Sequence, residues 1–309
     1  MVKSHAMEAC QLAEVRAVAF KCQSVPGELS PTHILTEDLC REANVKYEDV
    51  FTDAPSMARM AKAIKRADDD VICRLPFSVA VEAEQFGAKL SLNPETRLPA
   101  VKDFPYAKLN EIEALPPFDF SKGQMAAVLR AAEILSRKGE TVLLSIEGIF
   151  SILGMTVPSR EIYKGLYRKT DKLRALAESL KGQLAAYVKK AAACGVKIIA
   201  YTDAVISLDL VSPESYRTIC GAVTVDAVRA IRGAAPNALL HLCSGSSVGV
   251  ERVGLCTSEA VPVPPGTKYG EALLLALEDP NISIVGHGCH ERSHCPLEEP
   301  YIYKLQMNE

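Results

Sequence analysis

The chain has 309 residues, a length that suits one large domain or two small ones. With 48% apolar and 24% charged residues, its composition is that of an ordinary globular protein. The formal net charge of -3 and the lack of a basic run give no support for nucleic-acid binding. No apolar stretch approaches the roughly 18 residues that span a bilayer, so we expect no membrane segment.

Cysteine usage indicates the redox environment of the protein. The sequence shows no signal-peptide pattern, and several of its ten cysteines lie inside apolar runs, among them Cys73, Cys194 and Cys220. We therefore predict a cytoplasmic protein with reduced thiols, most of them buried as small hydrophobic side chains.

Seven apolar, β-branched runs predict strands, and segments with helical spacing separate them. The predicted strands cover residues 15–22, 70–77, 141–148, 196–203, 237–244, 250–256 and 281–288. The predicted helices cover residues 57–67, 120–139, 174–195, 213–234 and 270–279. This alternation favours a parallel sheet, and near-continuous apolar strands indicate that helices cover it. Seven such strands favour a (β/α)8 barrel, with residues 1–309 forming a single domain.

Residues 82–119 interrupt this alternation. The segment KLSLNPETRLPAVKDFP predicts a hairpin around Asn93-Pro94, followed by an extended, proline-rich stretch. We expect this insertion to pack over one end of the barrel.

Chemically capable side chains collect at the ends of the predicted strands. In a (β/α)8 barrel the active site lies where the strands end. The polar residues at those ends are Glu147, Asp203, His241, Cys243, Cys256 and Cys289. One imidazole and two thiols, from His241, Cys243 and Cys289, suit a zinc site whose fourth position is open for chemistry. Cys256 is expected to line the barrel.

The sequence around Cys289 contains several residues that could be the third zinc ligand. His287, His290, His294 and Cys295 lie close to Cys289 in the chain and are alternative ligands. If one of them also fills the fourth position, the zinc is closed and structural.

The segments HLCSG (241–245) and GHGCHE (286–291) resemble the zinc-dependent cobamide methyltransferases of the uroporphyrinogen decarboxylase superfamily. That branch carries His-x-Cys after one late barrel strand and a further Cys after the last strand, and the three residues bind zinc. The matching residues in this sequence are His241, Cys243 and Cys289.

Three further segments resemble motifs of the same family in the same chain order. RLPFSVAVEAEQFGAKL (74–90) is similar to a segment ending in an EAE-x-x-G motif, and IEGIFSILG (146–154) is similar to a Gly-Pro-Phe-Thr loop. YTDAVISLDLVSPESY (201–216) is similar to a strand-end Asp followed by Ser-Pro and an aromatic residue. The resemblance runs from about residue 20 to residue 297 and implies the (β/α)8 barrel of this superfamily.

The sequence also departs from the family pattern. Ile149 replaces the proline of the Gly-Pro-Phe-Thr loop, and Ser151 stands where threonine is usual. Only 45 residues separate Cys243 from Cys289, fewer than in the family. We therefore expect one β/α unit to be missing or degenerate after residues 250–256, and the chain ends without the expected long final helix.

The resemblance implies methyl transfer between a corrinoid and a thiol such as coenzyme M, or another small methyl carrier. An open zinc position would bind the substrate thiol and favour its nucleophilic thiolate form. Glu147 would accept the thiol proton or act as an exchangeable fourth ligand, and Asp203 would fix a ligand histidine or anchor the substrate. The corrinoid-binding pattern Asp-x-His-x-x-Gly is absent, so a methylcobamide would arrive free or on a partner corrinoid protein.

Two other functions compete with this interpretation. A uroporphyrinogen decarboxylase uses no metal and needs arginines near the N-terminus to hold the substrate carboxylates, whereas Arg16 and Arg41 stand alone here. A non-catalytic barrel with a structural zinc would explain the shortened C-terminal half.

Overall fold

The computed structural model describes residues 35–92, 99–168 and 170–308. The predicted strand 15–22 lies outside these ranges. The strands are β1 (Cys73–Leu75), β2 (Lys89–Leu92), β3 (Pro99–Asp103), β4 (Val142–Glu147), β5 (Ile198–Thr202), β6 (Leu239–Leu242), β7 (Cys256–Pro262), β8 (Ile284–Gly286) and β9 (Tyr301–Met307).

Helices connect most of these strands. They are α1 (Glu37–Ala43), α2 (Asp49–Thr52), α3 (Ala54–Ala67), α4 (Val81–Glu84), α5 (Gly123–Ser136), α6 (Ile149–Thr156), α7 (Ser159–Tyr167), α8 (Asp171–Ala193), α9 (Pro213–Ser215), α10 (Gly221–Ala234), α11 (Ser244–Arg252) and α12 (Tyr269–Glu278). A π-helical turn, Tyr216–Cys220, joins α9 to α10, and 3-10 turns cover Leu109–Glu111 and His290–Arg292. None of the described helices is long and apolar enough to cross a bilayer.

Helix α3 is the last helix before β1, and local sequence signals account for where it begins. The Asp53 carboxylate accepts a hydrogen bond from the Ser56 backbone N–H at 2.9 Å, and a proline occupies the first turn. Both features are typical of helix N-termini, because they satisfy or remove backbone donors that have no helical partner.

Seven strands form one sheet in the order β1-β4-β5-β6-β8-β9-β7. The first five run parallel, whereas β9 is antiparallel to both β8 and β7. The predicted parallel sheet with connecting helices is therefore confirmed. Within the described residues β1 and β7 are the two ends of the sheet, so a closed eight-stranded ring and a single domain over residues 1–309 stay predictions.

The inserted hairpin is also present. Strands β2 and β3 pair antiparallel in a separate two-stranded sheet, with Leu92 opposite Pro99. The predicted turn at Asn93-Pro94 lies outside the described residues, but the two arms confirm the hairpin on either side of it.

The predicted strand at residues 250–256 is wrong. Helix α11 covers residues 250–252, a turn follows, and Cys256 begins β7 instead of ending a parallel strand. A short apolar run cannot be told from a buried helical segment by its periodicity, and here the buried Val248 and Val250 lie in the helix. The parallel part of the sheet passes directly from β6 to β8, which agrees with the expected loss of one parallel β/α unit.

Both faces of the sheet are buried. Side chains alternate between the faces, so Leu144 and Ile146 belong to a core shared with α5, α8 and α10. On the opposite face, Leu143 packs in a second core with Leu273 of α12. Burial of one such leucine contributes about 1.5 to 3 kcal/mol, and the alternation places Glu147 on the face of Leu143.

The position of α11, which directly follows Cys243, depends on a close approach between helices. A Cβ atom at Gly249 would overlap the phenol of Tyr216, whose side chain is fully buried. The same helix carries Gly245, where a Cβ atom would meet nothing within 4 Å. Glycine is therefore required at one of these positions and not at the other.

We predict that Gly249→Ala destabilises the protein by about 1 to 3 kcal/mol, because the buried Tyr216 ring cannot move aside without disturbing the core. Gly245→Ala is the matched control and should be neutral or stabilise by up to about 1 kcal/mol. Urea unfolding followed by circular dichroism measures both. Equal stability of the two variants would contradict the described packing of α11.

Candidate active site

The carboxyl ends of five parallel strands meet along one edge of the sheet. Glu147 is the last residue of β4, Asp203 follows β5, and Cys243 follows β6. Cys289 comes three residues after the end of β8, and His241 lies within β6, fully buried. The structure thus brings these five predicted site residues to one edge.

Asp203 is bound to the beginning of α6. Its carboxylate accepts hydrogen bonds from the backbone N–H groups of Phe150 and Ser151, each at 2.9 Å, and from Ser151 Oγ at 3.0 Å. A Cβ atom at Gly148 would overlap the Asp203 side chain, so only glycine fits before the helix. Both carboxylate oxygens are therefore engaged in fixing the loop that follows β4.

Burial raises the pKa of Asp203 to about 6, although the hydrogen bonds from Phe150 and Ser151 act in the opposite direction. Donors aimed at a carboxylate favour its charged form, and the positive end of the α6 dipole adds to this. This geometry suits an anchor for the active-site loop, and a catalytic role for Asp203 stays a prediction.

A pair of buried carboxyl groups lies beside this loop. Burial raises the pKa of Glu82 to about 8, while hydrogen bonds from its own and the Glu147 backbone N–H groups lower it. Burial, followed by the charges of Glu82 and Asp203, raises the pKa of Glu147 well above its ordinary value. Both groups therefore hold protons more strongly than an ordinary glutamate, and ionisation of Glu82 hinders that of Glu147.

These carboxyl groups line a cleft of about 740 Å³, including its open mouth. The lining residues come from the segment before β1, from β1 and the segment after it, from β4, and from the turn after Cys289. They are Leu35, Ile64, Arg74, Pro76, Phe77, Ser78, Val79, Glu82, Ser145, Glu147 and Glu291. A concave site with apolar walls and a few convergent polar groups is typical of small-molecule binding.

A series of contacts leads from the cleft to the predicted metal ligands. His290 Nε2 lies 3.0 Å from a carboxylate oxygen of Glu291, which lines the cleft. The His290 ring lies edge-on to the His241 ring, with centroids 5.7 Å apart. On its other side His241 packs against Tyr269, at 5.8 Å between centroids.

Tyr269 connects the three predicted ligands. Burial raises the pKa of the Tyr269 phenol well above its ordinary value, and the nearby Cys289 and Cys243 thiols raise it further. A Cβ atom at Gly288 would overlap the Tyr269 ring, so the residue before Cys289 must be small. His241, Cys243 and Cys289 therefore lie around one buried phenol.

The alternative histidines of this segment have other neighbours. His287 Nε2 lies 2.8 Å from Glu251, and His294 Nδ1 lies 3.8 Å from Asp68. Throughout the described ranges, no three His, Cys, Asp or Glu side chains are gathered tightly enough to hold a metal ion. The ligand set His241, Cys243 and Cys289 thus stays a prediction, supported by placement and donor chemistry.

Comparison with known proteins identifies the family. The family model described as Uroporphyrinogen decarboxylase (URO-D) matches residues 28–287 of this chain. The chain belongs to the uroporphyrinogen decarboxylase family. Its mostly parallel sheet with helices on both faces is the fold of that family, which resembles a (β/α)8 barrel.

Within the uroporphyrinogen decarboxylase family, the similar curated proteins are methyltransferases. "Methylcobamide:CoM methyltransferase MtaA" of Methanosarcina barkeri is 25% identical over 183 residues, which are 58% of this chain and 54% of that protein. "Methylcobamide:CoM methyltransferase MtbA" of Methanosarcina acetivorans is 23% identical over 270 residues, covering 84% and 79%. The matched part thus spans about half of the first relative and about four fifths of the second.

A solved structure agrees with this fold. The "methyltransferase from Methanosarcina mazei" superposes with a TM-score of 0.60 at 24% identity, covering 67% of this chain and 60% of that chain. At this identity the similarity establishes the fold.

Sequence reasoning missed four residues of the site. Arg74, Glu82, Tyr269 and Glu291 all lie in the cleft or next to the predicted ligands. Glu82 is part of the EAE motif, but a glutamate in a short helix gives no sign that it is only 2% exposed. Only the fold brings these four residues to the strand ends.

The Glu82 carboxyl makes the stability of this uroporphyrinogen decarboxylase family member depend on pH. Because its pKa in the folded protein is about 8, against 4.5 for an ordinary glutamate, the folded state holds the proton more strongly. The stability from this group is fully present below about pH 4.5 and is lost as the pH rises to about 8.

We predict that Glu82→Gln flattens this dependence and makes the protein more stable than the wild type at pH 9, by on the order of 1 to 2 kcal/mol. Glu48→Gln, at an exposed position, is the matched control and should follow the wild type. Urea unfolding between about pH 5 and pH 9 measures the difference. Parallel curves for Glu82→Gln and the wild type would refute a protonated Glu82.

Proposed function

We propose that the protein transfers a methyl group between a corrinoid and a small thiol, at a zinc site formed by His241, Cys243 and Cys289. The observation that supports this proposal is that these residues lie at the edge where the parallel strands end, with His290 in contact with both His241 and the cleft residue Glu291. The methyltransferase relatives, two of them named for methylcobamide and CoM, support the same chemistry.

The donor set fits zinc. Imidazole nitrogen and thiolate sulfur are the ligands that zinc favours, and the three residues are almost completely buried. Three protein ligands leave one position for a substrate. When bound, the zinc would supply a positive charge that favours the thiolate form of the substrate thiol.

The protein side chains around the ligands restrict their orientation. Tyr269 on one side and His290 on the other pack edge-on against the His241 ring. The Ser244 backbone N–H donates to the Gly288 carbonyl at 3.1 Å and so joins the chain beside Cys243 to the chain beside Cys289. Such contacts reduce the freedom that the ligands would lose on binding metal.

Glu147 is suited to receive the proton that leaves the substrate thiol. It lines the cleft, and burial together with neighbouring carboxyl groups raises its pKa well above the ordinary range. In its ionised form such a carboxylate is a stronger base than an ordinary glutamate and accepts a proton readily. The apolar walls from Leu35, Ile64 and Phe77 limit the access of water to the reacting groups.

The transfer balances without a further reactant. The thiolate sulfur attacks the methyl carbon of a methyl-cobalt(III) corrinoid, the new bond is S–CH3, and the electron pair of the broken Co–C bond stays on cobalt as cobalt(I). The corrinoid is a substrate here and arrives free or on a partner protein, since the sequence lacks the Asp-x-His-x-x-Gly pattern.

Zinc content and methyl transfer, measured on the same proteins, test the proposal. We expect about one zinc per chain in the wild type, lost in His241→Ala, Cys243→Ser and Cys289→Ser. Transfer from methylcobalamin to the uncharged thiol 2-mercaptoethanol, followed under anaerobic conditions, should fall by about 100-fold or more in each variant.

Cys295→Ser is the matched control, because Cys295 is a thiol of the same segment that the proposal leaves outside the site. It should keep both zinc and activity. Loss of zinc in Cys295→Ser with retention in Cys289→Ser would overturn the ligand set. A folded wild type that takes up no zinc when it is supplied, or that carries zinc without transferring methyl, would refute the function.

A further inference from the structure

We propose that the cleft selects a thiol substrate whose far end is a cation, such as an ammonium group, and disfavours thiols with an anionic end. This inference rests on the proposed function and concerns the substrate class of the same site. Two observations support it. Most of the charged residues that line the cleft are acidic, and Arg74, the one cation among the described lining residues, already forms ion pairs with the protein.

Carboxyl groups outnumber cations in the lining. The charged or ionisable residues that line it, among those the structure describes, are Arg74, Glu82, Glu147 and Glu291. An added anion repels each of the three carboxyl groups that is ionised and further disfavours ionisation of the buried Glu82 and Glu147. An added cation stabilises each in its ionised form.

Arg74 is already engaged by the protein. Its guanidinium lies 2.6 Å from an Asp68 carboxylate oxygen, 3.7 Å from an Asp70 oxygen and 3.2 Å from a Glu291 oxygen. It also donates to the Glu291 backbone carbonyl at 2.8 Å. Three carboxylates thus surround one guanidinium, so the cluster as a whole keeps an excess of acidic groups. The Arg74 side chain is only 11% exposed.

A sulfonate or carboxylate entering the cleft would therefore meet no available guanidinium face. Arginine recognises such anions through a planar pair of N–H donors, and here Asp68 and Glu291 occupy those donors. To bind Arg74, the anion would have to displace a buried ion pair and leave a carboxylate without its partner, which is costly.

One wall of the cleft adds a feature that suits a cation. Phe77 follows β1 and lines the cleft together with Glu82 and Glu291. The face of an aromatic ring attracts an ammonium or sulfonium group, and the attraction grows as water is excluded. The aromatic wall and the carboxyl groups thus favour the same kind of ligand independently.

Three thiols that differ only in their far end provide the test. Cysteamine, 2-mercaptoethanol and coenzyme M all carry a thiol on a two-carbon chain and end in ammonium, hydroxyl and sulfonate, respectively. With zinc-loaded wild type, methylcobalamin and one fixed pH, we expect kcat/KM to fall in that order. The cysteamine to coenzyme M ratio should be about tenfold or more and should shrink as salt is added.

A variant separates the effect of the cleft from the intrinsic reactivity of the thiols. Glu291→Gln removes one carboxylate and one partner of Arg74, so the cysteamine to coenzyme M ratio should drop at least about fivefold relative to wild type. Intrinsic reactivity cancels in this comparison. Glu48→Gln, on the exposed surface, should leave the ratio unchanged, and zinc content is measured in every protein.

The outcomes distinguish this inference from the function on which it rests. Equal kcat/KM values for the three thiols, or a preference for coenzyme M, would overturn the cation preference while leaving the thiol methyltransferase in place. An unchanged ratio in zinc-loaded Glu291→Gln would also overturn it. If zinc-loaded wild type methylates none of the three thiols, the proposed function itself fails.

Discussion

The parallel alignment of β1, β4, β5, β6 and β8 is the constraint on which the site depends. Because these strands share one direction, the residues that end them meet at one edge although they are far apart in the chain. The edge is held from two sides. Asp203 fixes the loop after β4 by binding the start of α6, and Arg74 binds the turn that follows Cys289 through Glu291. The candidate ligands and the cleft are therefore parts of one rigid arrangement.

Three buried carboxyl groups, from Glu82, Glu147 and Asp203, lie at the same edge and determine which protons can be transferred there. Burial raises the pKa of both Glu82 and Glu147, next to a loop fixed by a third carboxyl group, Asp203. In its ionised form such a group accepts a proton readily, because burial disfavours the charged carboxylate. Arg74 forms ion pairs with Asp68, Asp70 and Glu291, so its charge is already neutralised by the protein. A site of this kind assists proton removal from a neutral or cationic thiol and resists an additional anion.

How far the sequence predicts this arrangement depends on the kind of signal. The strands ending at Glu147 and before Asp203 are near-continuous apolar runs, so their type and their polar ends could be predicted. Helix α11 could not be predicted, because its two valines, Val248 and Val250, are two positions apart, a spacing that suits a strand. Strand β9 was not expected, because its two buried residues, Ile302 and Leu305, are three positions apart and do not give the alternation of a half-buried strand. Arg74 and Glu82 were missed because composition shows charge but not burial, which only the packed sheet creates.

The most direct test of the account is X-ray absorption at the zinc edge of the metal-loaded protein, with and without added thiol. A zinc bound by His241, Cys243 and Cys289 should show two sulfur scatterers at about 2.3 Å, with nitrogen or oxygen at about 2.0 to 2.1 Å in the remaining positions. Addition of cysteamine should raise the sulfur number to about three, since one position is open to substrate. A zinc with four protein ligands that no thiol changes, or with fewer than two sulfur neighbours, would contradict a catalytic site formed by His241, Cys243 and Cys289.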